Sequence, residues 1–256
     1  MDAQSDDIRA SLRQQLETDP LLGLREVPIA KDVAAAIGRR AAVSPAAAQA
    51  PAASEEQQAQ LRELDASQVA KCEKCQLCET RTRTVFGQGH ASARLVFVGE
   101  APGYEEDQQG LAFVGRAGQL LTKMIIAMGL KREDVFICNV LKCRPPNNRT
   151  PAADEIAACS AYLFEQLQII QPEIVCALGA PAAQTLLATK EAIGRLRGRF
   201  HDFYTSGAPM IGDPVPLMPT YHPAYLLRSP GEKKKTWADL QMIMAELGLA
   251  GSQSNQ

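Results

Sequence analysis

The chain has 256 residues, 46% hydrophobic and 22% charged, and its formal net charge at pH 7 is -2. That composition fills a core and excludes a wholly disordered polymer, while the near-neutral charge neither demands nor forbids a polyanionic partner. The length suits one domain of about 150–200 residues with appendages, or two small domains.

Charge is unevenly placed. Residues 1–65 hold 7 Lys+Arg against 11 Asp+Glu, and residues 66–256 hold 20 against 18, so the later segment is the better candidate for meeting nucleic acid. The opening MDAQSDD lacks the basic and apolar stretches of a secretory signal, and no run of about 18 apolar residues occurs. A soluble, cytoplasmic protein with no membrane partner is expected, its seven cysteines serving as thiols or metal ligands rather than disulfides.

In chain order, residues 5–17 read as a short amphipathic helix capped by Ser5, and residues 34–54 as an Ala/Pro-rich linker. This arm is read as loosely attached; the sharper alternative is a docking peptide for an unknown protein. Residues 1–65 are therefore assigned to an N-terminal extension, 66–248 to the folded domain and 249–256 to a tail. A helical pattern from residue 55 leads into the cysteines. Strands then follow at 94–99, 135–140, 174–179 and up to 219, alternating with helices at 119–130, 152–170, 180–188 and 234–247. Short apolar strands alternating with helices predict a three-layer α/β/α fold around a central parallel sheet.

Polar and special residues gather where those strands end: Gly99-Glu100-Ala101-Pro102-Gly103, Asn139, Gly179-Ala180-Pro181, and Thr220-Tyr221-His222-Pro223. Ligand sites in such folds lie beyond the carboxyl ends of the strands. Glu100, Asn139 and His222 are thus expected to converge. Glu105 and Asp107 read as solvated carboxylates, and the Gly115–Gly118 turn as an ordinary helix entry rather than a phosphate cradle. Cys72 and Cys75 form a CxxC that precedes the first strand, which disfavours a redox role and leaves zinc or iron–sulfur binding. Cys138 and Cys176, inside strand patterns, read as inert core thiols.

The strings GEAPGYEED, GLAFVGRAGQLL, ICNVLKCRPPNNRTP and TYHPAYLLR, with CEKCQLCETRTRTVFGQG and RLRGRF, resemble the family 4, iron–sulfur type of uracil-DNA glycosylase. The resemblance runs from about residue 71 to 247 in one order. It implies a four-stranded parallel sheet and a [4Fe–4S] cluster held by Cys72, Cys75, Cys143 and Cys159, with Cys78 outside the set. It implies a monomeric enzyme that excises uracil from single- or double-stranded DNA. His222 would donate to uracil O2, Asn139 read the base edge, Phe113 stack on it, and Glu100 or the backbone around Ala101 position the water. Glu106 would crowd the 5-methyl of thymine, Leu226 or Leu227 would wedge the duplex, and Arg228 would meet a phosphate. Arg144, Arg149, Arg195, Arg197 and Arg199 could track the backbone. The alternatives are a non-catalytic iron–sulfur DNA-binding module and a glycosylase with a wider range of deaminated bases.

Overall fold

The computed structural model describes residues 55–207 and 212–249; the expected helix at 5–17, the linker and the tail beyond 249 lie outside them. The first described element, α1 (Glu55–Leu64), is not part of a loose extension. It buries Leu61 and Leu64, and the Gln57 side-chain amide donates to the Ile169 carbonyl at 2.9 Å. The folded unit therefore includes residues 55–65, which the composition had assigned to the extension.

Four parallel strands form the centre of the sheet: β2 (Leu95–Gly99), β3 (Phe136–Asn139), β4 (Ile174–Leu178) and β6 (Val215–Thr220). They stand in the order β3-β2-β4-β6. Two short antiparallel strands, β1 (Gln88–Gly89) and β5 (His201–Phe203), close the edges beside β3 and β6. Neither edge strand carries an apolar run, which is why the sequence pattern shows only four.

Alternation along the strands separates the layers. Leu95 and Phe97 of β2 face α3 (Arg116–Ala127) and α8 (Lys233–Glu246), packing with Leu121, Ile125, Trp237 and Leu240. Val96 and Val98 face the other way, against Leu163 and Leu167 of α4 (Ala153–Ile170) and Ala182 and Ala183 of α5 (Ala180–Leu186). Shorter helices complete the chain: α2 (Tyr104–Gln109), α6 (Ile193–Leu196) and α7 (Pro223–Arg228). None of the helices is long and apolar enough to cross a membrane, among the described residues.

The chain leaves β2 for β3 on one side and later returns to β4 on the other. This reversal opens a crevice beyond the carboxyl ends of β2 and β4. The segments that start there are Glu100–Gly103 and Gly179–Pro181.

Candidate active site and cysteine centre

A cleft of about 410 Å³ occupies that crevice, lined by Glu100, Gly179, Pro181, Tyr221, His222 and Tyr225 among others. Glu100 is the one carboxylate on its wall among the described residues, and burial raises its pKa above the usual carboxylate value.

His222 caps α7: its Nδ1 accepts from the Ala224 N–H at 3.1 Å. An imidazole that accepts at Nδ1 carries its proton on Nε2, leaving a donor for the cleft. Burial and the nearby Arg228 lower its pKa to about 4, against a smaller pull upward from Glu106, so the ring is neutral at pH 7. Two neighbours fix its place. The Phe113 ring lies 5.6 Å away, tilted by 36°, and Gly179 at φ 92° leaves only 3.0 Å between an added Cβ and His222 Cβ.

Phe113 adopts φ 52°, a left-handed conformation unusual for a bulky residue and often kept where function requires it. Its loop is held by Glu106, whose Oε1 accepts from the Val114 and Gly115 N–H groups at 2.9 Å each, while Oε2 accepts from Gly103 at 3.1 Å. Glu106 is thus a tie between α2 and the Phe113 loop, and the Gly115 N–H is already satisfied. The reading of that turn as a plain helix entry holds. Gly118 admits the loop from the other side, since a Cβ there would stand 2.8 Å from Phe113 Cα.

Asn139, the last residue of β3, is 2% exposed, and its Oδ1 has no hydrogen-bond partner among the described residues. It faces Gly99, the last residue of β2. A Cβ on Gly99 would stand 2.6 Å from Phe113 Cζ and would also strike Asn139 Oδ1. Glycine here lets Asn139 and Phe113 share one small space. Sequence reasoning saw Gly99 only as part of a loop motif, because nothing in the string shows what approaches it.

Other expected residues fall differently. Leu226 is 1% exposed and belongs to the core beneath α7, whereas its neighbour Leu227 is 38% exposed. Successive helical residues point about 100° apart, so only Leu227 can reach outward. Arg228 is exposed, and Ala101 packs toward the cysteines rather than into the cleft. Asp107 is buried and accepts from the Thr82 N–H at 2.9 Å, so it is a structural tie rather than a solvated carboxylate. Arg197 is not free to track a nucleic acid: it makes a two-pronged ion pair with buried Asp239, which also accepts from Thr220 Oγ1 at 2.6 Å. Tyr221, placed by the sequence in a strand-end motif without a role of its own, packs against Tyr225 on the cleft wall, the rings 5.0 Å apart at an i, i+4 spacing. Ile193 and Gly194 of α6 line the cleft unforeseen.

Cys72, Cys75, Cys143 and Cys159 line one small void, together with Cys78, Arg81, Lys142 and Tyr162. No three Cys, His, Asp or Glu side chains stand close enough to share a single metal ion among the described residues. In a four-iron cluster each thiolate binds a different iron, so its sulfurs need not meet at one point. The all-thiol donor set and its hydrogen bonds suit such a group: the Lys142 N–H donates to Cys159 Sγ at 3.2 Å, and Arg81 Nη1 to Cys143 Sγ at 3.4 Å. Burial raises the Cys143 thiol to about 11 although Arg81 pulls it down. Cys138 and Cys176 are fully buried in β3 and β4, as read from the sequence.

Residues 86–241 match the model of the uracil DNA glycosylase superfamily. The chain is 47% identical over 171 residues to a type-4 uracil-DNA glycosylase of Thermotoga maritima, an alignment spanning 66% of this chain and 85% of that one. It is 43% identical to a type-4 enzyme of Saccharolobus solfataricus over 190 residues, or 72% and 86% of the two chains. The chain belongs to the type-4 uracil-DNA glycosylases. A type-5 uracil-DNA glycosylase of Pyrobaculum aerophilum is more distant, 31% identical over 159 residues, or 56% and 67% of the two chains.

Proposed function

We propose that the chain excises uracil from DNA, breaking the N-glycosidic bond of an extruded nucleotide and leaving free uracil and an abasic site. The observation that carries this reading is the Oδ1 of Asn139, buried and unpartnered among the described residues, which shares the space at Gly99 with the Phe113 ring, itself 5.6 Å from a neutral His222. A buried acceptor without a donor costs about 1–3 kcal/mol, which a ligand N–H would recover. Uracil offers N3–H to Oδ1 and O4 to the amide N–H of the same side chain. Cytosine offers the reverse pattern and would leave both groups unsatisfied.

When C1′–N1 breaks, the bonding pair leaves with the base and negative charge gathers on O2. His222 Nε2–H meets that oxygen with a hydrogen bond that strengthens as the charge develops. Phe113 stacks on the base, and Glu106 denies thymine's 5-methyl room by holding the Phe113 loop in place. Water directed by Glu100, with help from the backbone at Ala101, adds to C1′, and its proton passes to the carboxylate. Leu227 fills the space left by the extruded nucleotide, and Arg228 meets a flanking phosphate.

Cys72, Cys75, Cys143 and Cys159 would hold a [4Fe–4S] cluster, which supplies a structural link between the segment before β2 and the start of α4. The test is alkali-revealed cleavage of a labelled oligonucleotide carrying one uracil, with cytosine and thymine controls. Cleavage at uracil alone is expected; no cleavage by folded, iron-loaded protein would overturn the reading.

A further inference from the structure

Lys142 is among the largest fully buried side chains of the protein, at 1% exposure, and the chemistry above leaves it idle. Its Nζ donates to the Asn139 carbonyl at 2.8 Å and to Gln166 Oε1 at 2.5 Å, both neutral acceptors. Gln166 is itself fixed by a bond from its amide to the Phe86 carbonyl at 2.9 Å. No carboxylate lies within ion-pair distance of Lys142 among the described residues. The charged or ionisable groups that act on it are Asp65, Cys138 and Cys159. A buried cation needs a compensating charge or it destabilises the fold by several kcal/mol. Lys142 also lines the void shared by Cys72, Cys75, Cys143 and Cys159, and Asp65 is the one carboxylate that acts on it among the described residues. One residue therefore touches both centres: its backbone N–H donates to Cys159 Sγ, and its ammonium holds the backbone of the base-reading asparagine.

We infer that Lys142 is a positioning residue that couples the thiolate centre to base recognition, compensating the charge of the bound iron–sulfur group and anchoring Asn139 at the end of β3. The inference rests on the base-reading role proposed for Asn139.

The test uses the iron-loaded protein and two variants, Lys142→Met, which keeps length and loses the charge, and Gln166→Met, which removes one acceptor. Three quantities are read: iron content, the midpoint potential of the iron–sulfur group, and the ratio of affinities for DNA carrying a non-hydrolysable 2′-fluoro-deoxyuridine and for its thymidine counterpart. In Lys142→Met the potential should fall, because reduction adds negative charge beside a lost cation. Uracil selectivity should fall about tenfold, while affinity for undamaged DNA holds. Gln166→Met should lower selectivity by about threefold and leave the potential in place. If Lys142→Met does not fold, Gln166→Met decides, and native selectivity there rejects the coupling. A Lys142→Met protein with native potential or native selectivity also rejects it. Should the parent protein excise no uracil, the proposed function itself fails, a result distinct from either variant outcome.

Discussion

Replacing Gly99 by alanine tests whether Asn139 and Phe113 act as one unit. The added methyl would stand 2.6 Å and 2.8 Å from Phe113 Cζ and Cε2 and would strike Asn139 Oδ1. Carbon atoms settle about 3.5–4.0 Å apart, so the ring must retreat by roughly 1 Å and the amide must turn. Overpacking of this kind destabilises by about 1–3 kcal/mol, which for a domain of this size lowers Tm by about 2–12 °C. The functional effect should be larger, because a misplacement of about 1 Å at a reacting centre can reduce rates by 10²-fold. Single-turnover excision of uracil at saturating enzyme, compared with thermal melting, separates the two. The expected result is a rate lower by about 10²-fold in a protein that remains folded at the assay temperature. A rate within threefold of the parent would refute the shared-space argument and free Asn139 from its assigned role.

His222→Ala should lower the single-turnover rate by about 10²–10³-fold with the fold intact by circular dichroism. The pH profile checks its protonation state: with a folded pKa of about 4, the ring stays neutral well below its unfolded value of 6.5. The chemical rate should therefore show no loss with a midpoint near 6.5; it should fall at lower pH, where Glu100, raised by burial, takes up a proton and then His222 does near 4. Stability should fall as pH drops from 6.5 to about 4, because in that window the unfolded chain binds a proton that the folded one refuses. A rate falling with a midpoint near 6.5 would show a solvated, ordinary imidazole. Leu226→Ala should cost about 2–5 kcal/mol in chemical denaturation, while Leu227→Ala should leave stability within about 0.5 kcal/mol and slow excision from duplex more than from single strands. Equal stability losses would undo their separation into core and surface. Cys143→Ser should lower bound iron and visible absorption, and an unchanged spectrum would reject the four-cysteine set.

The sheet was legible because β2, β3, β4 and β6 are short apolar runs, and burial on both faces demands such runs. The edge strands β1 and β5 were not, since two or three residues paired on one side need no apolar signature. Local signals also misjudged attachment at α1: a helix with a mean composition this polar reads as an arm, yet two leucines are enough to dock it. Asp107 and Arg197 were misread for a related reason. A charged residue in a string looks solvated, and only the fold reveals that Asp107 serves Thr82 or that Arg197 serves Asp239.

The site divides along the same line. Strand-end position pointed to Asn139 and His222, whereas Phe113 was named by the family resemblance alone. What would make them a site is relational: Gly99 as the gap between two side chains, Glu106 as the tie that holds Phe113, and an Asn139 oxygen that finds no donor among the described residues. Glu106 shows how far a residue's role can shift when its partners are known. A carboxylate near the base pocket suggests contact with substrate, yet both of its oxygens are occupied by backbone N–H groups from two loops. Under the proposed function, its influence on thymine would then pass through the rigidity of the Phe113 loop. Glu106→Gln can still accept from one of the two loops through its amide oxygen but offers the other an NH₂ group in place of an acceptor. Loosening should therefore appear as a loss of thymine rejection before a loss of uracil excision.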